Sequence, residues 1–183
     1  GAFFFYTYIP HDKLTVLGGV RLDHHNLYGW LLNPRLHLRY APDETTVFRL
    51  SAGSGMRTPL PVAENLGWLA SSRDWTIGQP GQTANNYPYN GLEMEKAWNF
   101  GASVTKEFTI DYRSGLVSID FFHTRFVNRA IADLDINPQQ LWIYNLDGQS
   151  FANTFQAEAQ YEIFKRVDLK VAYKLQDAKI DYR

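Results

Sequence analysis

Residues 45–65 read TTVFRLSAGSGMRTPLPVAEN. Thr46, Phe48, Leu50 and Ala52 fall on one side of a two-residue repeat, and Val47, Arg49, Ser51 and Gly53 on the other. That is the alternation of a β-strand. Two prolines and Glu64 end it, and no clear alternation returns until about Glu93. On the other side of the strand, the connector around Ala41–Glu44 is only a turn long. A strand with a tight turn at one end and a very long loop at the other decides how the whole chain is read.

The same asymmetry recurs outward from this stretch. The alternation predicts eight strands, near 2–9, 14–25, 33–41, 46–55, 93–109, 115–132, 142–163 and 167–182. Connectors at 10–13, 41–45, 110–114 and 164–166 are short, and those at 26–32, 56–92 and 133–141 are longer. Short and long alternate throughout. A meander with tight turns at one end and long loops at the other is the pattern of an outer-membrane barrel. Strands five to seven also exceed the ~9–11 tilted residues that cross a bilayer. The fold class is therefore all-β: an antiparallel up-and-down meander of about eight long strands, part of a transmembrane β-barrel.

One strand face is aliphatic and aromatic. The other carries Arg21, Asp23, Arg35, His37, Arg39, Arg49, Asp120, Gln156, Glu158 and Lys170. A lipid-facing wall must be apolar, whereas a wet lumen accepts charge. Aromatics near strand ends (Phe3, Phe5, Tyr8, Tyr40, Trp98, Phe121, Trp142, Tyr144, Tyr161) suit interfacial girdles. A soluble antiparallel barrel with its apolar face inward satisfies the same alternation.

Composition narrows the classes further. A net charge of −1 over 183 residues gives no electrostatic footprint for nucleic acid. With no cysteine there is neither a disulfide framework nor a thiolate metal site. No apolar run reaches the ~18–20 residues of a membrane-crossing helix. The opening GAFFFYTY lacks the basic region and cleavage site of a signal peptide, so the chain is either mature or a piece of something longer, and Gly1 leading straight into an aromatic strand favours the piece.

Several stretches, in order, resemble the barrels of TonB-dependent outer-membrane receptors. They are VRLDHHN (20–26), NPRLHLRYAP (33–42), RLSAGSGMRTPLPVAEN (49–65), EKAWNFG (95–101), DFFHTRFVN (120–128) and YNLDGQS (144–150). The resemblance implies a segment of a 22-stranded barrel that is closed by a plug domain. It implies import of a scarce nutrient such as a ferric siderophore, haem or cobalamin. Energy would come through TonB, ExbB and ExbD, and the barrel would stand in outer-membrane lipid. The sequence departs from the family in having about eight strands, no preceding plug or TonB box, and the ending DYR in place of a terminal aromatic. Residues 1–183 are thus expected to be a partial barrel domain of a larger receptor, without plug and terminal strands. A complete small eight-stranded outer-membrane barrel with a structural or adhesive role, and a soluble β-barrel ligand binder, are the alternatives.

No motif for catalysis is present: there is no HExxH, phosphate loop or Gly-x-Ser-x-Gly elbow. The chain is read as a non-enzyme with no cofactor and no metal site. His24 and His25, being adjacent, point to opposite faces of a strand. Asp23, His25 and His37 could share a face, but ordinary cross-strand pairing, such as Asp23 with Arg35, is the favoured reading. In the long loop, Arg57, Glu64, Trp68, Arg73 and Trp75 offer the aromatics and cations that grip an anionic ligand. For Arg57 and Glu64 the favoured reading is that they fasten the loop to the rim, with Trp68 packed in a helix-like turn over Ala63–Ser72. On the lumen side, Arg21, Asp23, Arg35, Arg39, Arg49 and Asp120 form a charged wall, whose arginines are expected to pair with plug carboxylates.

Overall fold

A computed structural model describes residues 1–78, 91–146 and 148–182. Eight long strands form one antiparallel sheet. They are β1 (Ala2–His11), β2 (Leu14–His25), β3 (Gly29–Tyr40), β4 (Thr46–Arg57), β6 (Glu95–Ile110), β7 (Arg113–Asn128), β10 (Gly148–Phe164) and β11 (Val167–Tyr182). Their order in the sheet is their order in the chain. Three short strands, β5 (Asp74–Ile77), β8 (Ala130–Asp133) and β9 (Gln140–Asn145), lie in the long loops and form a separate sheet of order β5-β9-β8.

This corrects two expected strands. Residues 115–132 are not one strand: β7 stops at Asn128 and β8 resumes at Ala130. Residues 142–163 likewise split into β9, which joins the loop sheet, and β10, which joins the wall. Alternation continues across both breaks, so periodicity alone cannot reveal where a chain changes sheet. Trp142 and Tyr144 therefore belong to the loop sheet and not to a membrane girdle.

The turns at the short end are tight for identifiable reasons. Asp111 and Tyr112 both have positive φ (52° and 62°). Two left-handed central residues match the right-handed twist of a hairpin. Between β3 and β4, the Asp43 carboxylate accepts the Thr45 amide at 2.9 Å and the Thr45 hydroxyl at 2.6 Å. Lys106 approaches the same carboxylate at 3.7 Å.

Register assigns the faces. One row runs across seven strands: Thr15, Arg39, Arg49, Ser103, Asp120, Gln156 and Lys174 stand opposite one another in succession. Arg21, Asp23, Arg35, His37 and Glu158 share that polar face. It is indented by a cleft of about 380 Å³ lined by Thr15, His37, Arg39, Arg49, Ser51 and Ser103, among others. Phe3 and Phe5 stand opposite Arg21 and Gly19, which places them on the polar face and not in a girdle. Phe4, Tyr6 and Tyr8 occupy the apolar side of β1.

No protein covers the apolar face. Val20, Leu36, Leu50, Ile119, Phe121, Val171 and Leu175 are all exposed. The chain has 12581 Å² of accessible surface. A compact monomer of 21.1 kDa would have about 9,000 Å². A soluble barrel with its apolar side inward would bury these side chains. An uncovered apolar face backed by a polar, indented one is the two-sided pattern of a barrel wall with an apolar outside and a polar lumen.

Aromatics mark the limits of that wall. At the short-turn end Phe108 and Tyr161 stack at 6.2 Å, both over Gly115, where an added Cβ would collide with the Phe108 ring. At the other end Trp98 and Phe151 stand on the same face. On β6 and on β10 these aromatic levels are about ten residues apart. At ~3.3 Å per residue and a tilt of roughly 40°, that is about 25 Å, the height of a lipid-facing band.

Candidate functional site

The only buried apolar core among the described residues lies outside the wall, in the long loops. Leu92, Leu141 and Ile143 are almost fully buried, with Trp68, Trp75, Ile77, Ala130, Ala132 and Leu134 packed around them. The loop between β4 and β6 supplies Trp68, Trp75, Ile77 and Leu92. The loop between β7 and β10 supplies the rest. β5 pairs in parallel with β9, from Asp74 opposite Gln140 to Ile77 opposite Ile143, and so zips the two loops together.

Polar contacts complete this junction. The Asn145 side chain donates to the Gly91 carbonyl at 2.8 Å and accepts the Glu93 amide at 3.1 Å. Asn128 donates to Glu93 at 2.9 Å. From the β2–β3 loop, the Tyr28 hydroxyl donates to the Leu92 carbonyl at 3.0 Å. Three loops from the same end thus form one module.

The sequence-predicted loop residues divide by role. Proline-led α1 (Pro61–Glu64) and a 3-10 turn (Leu66–Ala70) occupy the helix-like stretch, with Trp68 packed on the core. Arg73 lies over the Trp68 ring at 5.1 Å and donates to the Pro138 carbonyl at 2.9 Å. Trp75 packs into the core. Arg57 pairs with Glu64 at 3.0 Å and with Glu95 at 2.5 Å. Glu95 was not singled out by sequence reasoning. Its signal was weak, because an acidic residue opening a strand has no distinctive spacing. Yet its other carboxylate oxygen accepts the Ala130 amide at 3.0 Å, so it ties β4, β6 and β8 together.

The charged wall differs from expectation at one pair. Asp23 meets Arg21 on its own strand at 2.7 Å and stands opposite Leu31. Arg35 stands between Gly19 and Gly53, too far along the ladder to reach Asp23. His37 stands opposite Leu17, distant from His25, whose Nδ1 accepts the Leu27 amide. Among the described residues no three His, Asp or Glu side chains converge for a metal. Arg39 and Arg49 face each other directly, with only Thr15 and Ser103 beside them in the row. Asp120 follows one strand further on.

Comparison with known proteins agrees with this architecture. The wall resembles the siderophore receptor PirA from Pseudomonas aeruginosa, with TM-score 0.66 and 13% identity over 98% of this chain and 34% of that one. It also resembles the ferric enterobactin receptor PfeA from the same organism, with TM-score 0.63 and 14% identity over 93% of this chain and 25% of that one. The copper transporter OprC matches with TM-score 0.59 and 12% identity, over 95% and 28%. The chain therefore spans about a third or less of these structures. No curated protein matches the sequence. The family described as TonB dependent receptor-like, beta-barrel, matches residues 1–182, and the chain belongs to it.

Proposed function

We propose that the chain is a wall segment of a larger outer-membrane receptor that imports a ferric siderophore or a comparable metal chelate. The observation that carries this reading is the position of the loop module. It stands beyond the upper aromatic level, on the side away from the tight turns. A packed, rigid platform at that rim is where a ligand from outside would first meet the protein.

Within this reading the loop residues take separate parts. Arg73, held over Trp68, presents a cation and an aromatic to an anionic ligand. Arg57 and Glu64 fasten the loop, and Trp75 fixes it from beneath. The lumen wall of Arg21, Asp23, Arg35, Arg39, Arg49 and Asp120 faces a plug domain, and the plug engages TonB, ExbB and ExbD. The resemblance to OprC widens the cargo to other metals, so copper belongs in the test.

The test is uptake by whole cells that express the full receptor. Radiolabelled ferric siderophores and copper are offered to cells with and without TonB. Accumulation of one ferric siderophore only where TonB is present agrees with the proposal. Accumulation that is indifferent to TonB, or of none of these cargoes, contradicts it.

A further inference from the structure

On the lipid side, four rings run in series across three strands. Trp98 stacks on Phe100 at 6.3 Å, Phe100 on His123 at 6.4 Å, and His123 meets Phe151 at 6.1 Å. Asn153 holds the imidazole through a 2.7 Å hydrogen bond between its Oδ1 and His123 Nδ1. Arg125 stands on the same face, directly opposite Trp98 on one side and Phe151 on the other. Trp98, His123, Arg125 and Phe151 border a groove of about 600 Å³, together with Val127 and Gln149.

Arg125 is exposed, and among the described residues no hydrogen bond, ion pair or ring contact engages its guanidinium. Its two facing neighbours are aromatic, and the outward carboxylates Asp177 and Asp181 lie beyond β10, on β11. Asp177 is occupied by Lys179 at 3.4 Å. Depth makes this placement informative. Arg125 stands ten positions along β7 from Gly115, the residue beneath the lower aromatic pair. It therefore sits at the upper aromatic level, where hydrocarbon gives way to headgroups.

We infer that this groove holds the phosphorylated sugar headgroup of an outer-leaflet glycolipid, with Arg125 on a phosphate and the ring series against the sugar and the first acyl carbons. A guanidinium matches a phosphate with two parallel charge-assisted hydrogen bonds. A row of flat rings suits a saccharide more than the small glycerol headgroup of a phospholipid. The inference rests on the outer-membrane placement given above.

The experiment uses the full receptor, purified in detergent, and native mass spectrometry with three probes: lipid A, lipid A stripped of its phosphates, and phosphatidylglycerol. Wild type should retain lipid A at least about tenfold more strongly than either other lipid. Arg125→Gln should abolish that preference, and Trp98→Ala should weaken lipid A binding while leaving the phosphate dependence in place. Heat-modifiability on gels confirms that both variants still form barrels. Equal retention of all three lipids by wild type, or an unchanged preference in Arg125→Gln, overturns the inference. Fractionation of the receptor with the outer membrane is scored separately, so failure of the lipid site is distinguishable from failure of the placement.

Discussion

Arg57 and Glu95 face each other across β4 and β6 with Nε to Oε2 at 2.5 Å, and they mark where wall becomes loop. The Glu95 side chain is 9% exposed and the Arg57 side chain 60%. The carboxylate is thus the committed partner, held by one strand and used by two loops. Removing it leaves the Ala130 amide without its acceptor and the guanidinium with the exposed Glu64 alone. Because Arg57 reaches solvent, the cost falls below that of a fully buried pair, at about 2–3 kcal/mol for Glu95→Ala. Glu64→Ala, at an exposed pair, should cost less than about 1 kcal/mol. Limited proteolysis of the receptor on intact cells reads this: Glu95→Ala should expose residues 58–78 to cleavage and Glu64→Ala should not. Equal protection in both would remove Glu95 from its role as anchor.

At the opposite end, Asp43 closes the β3–β4 turn through Thr45. The Thr45 hydroxyl and then the Thr45 amide hold its carboxyl far below the usual carboxylate range, with Lys106 adding to the effect. A group whose folded pKa is depressed stabilises the fold above its unfolded pKa, near 4, and that contribution is lost as pH falls toward the folded value. Barrel melting followed between about pH 5 and pH 2 should therefore show a loss that is smaller in Asp43→Asn. Parallel acid curves for both proteins would contradict the assignment.

The Asp111–Tyr112 turn carries two non-glycine residues in the left-handed region. An aromatic there is strained, and glycine is not. Tyr112→Gly should stabilise the barrel by about 0.5–1 kcal/mol, the left-handed cost less the added chain entropy. A lower melting temperature in the variant would show that Tyr112 gains more from its surroundings than its backbone costs.

Arg39 and Arg49, opposed on the lumen face, lack an acid beside them in their row. Like charges directly opposite are unfavourable without a counter-charge. Under the proposed function, a plug domain supplies that counter-charge. Reversing both charges to Glu should loosen the plug and admit large antibiotics that the outer membrane normally excludes. Unchanged antibiotic sensitivity would count against the pairing.

The wall was legible in the sequence because a two-residue repeat is a direct consequence of strand geometry, and because Arg39, Arg49 and Asp120 sit at matching phases of it. The alternation of short and long connectors was equally readable. What escaped was whatever depends on partners distant in the chain. Ala130–Asp133 and Gln140–Asn145 alternate like their neighbours, and only the packing of Leu92, Leu141 and Ile143 draws them away from the wall. Phe3 and Phe5 look like girdle residues until register sets them opposite Arg21 and Gly19. Asp23 and Arg35 share a face but lie at different heights on their strands, which no spacing rule reports. Glu95 was overlooked because its importance comes from Arg57 and Ala130, which reach it from other elements.

In the proposed receptor the tight turns lie in the periplasm and the loop module lies outside. The chain contains no cysteine, so single thiols can be placed cleanly within it, with the unsubstituted receptor as the labelling blank. Leu69→Cys puts a thiol on the exposed side of the 3-10 turn, and Glu44→Cys puts one in the β3–β4 turn. Intact cells are treated with a membrane-impermeant maleimide. In that orientation position 69 is labelled on intact cells, and position 44 only after the outer membrane is permeabilised. Labelling of position 44 on intact cells, with position 69 protected, would contradict it.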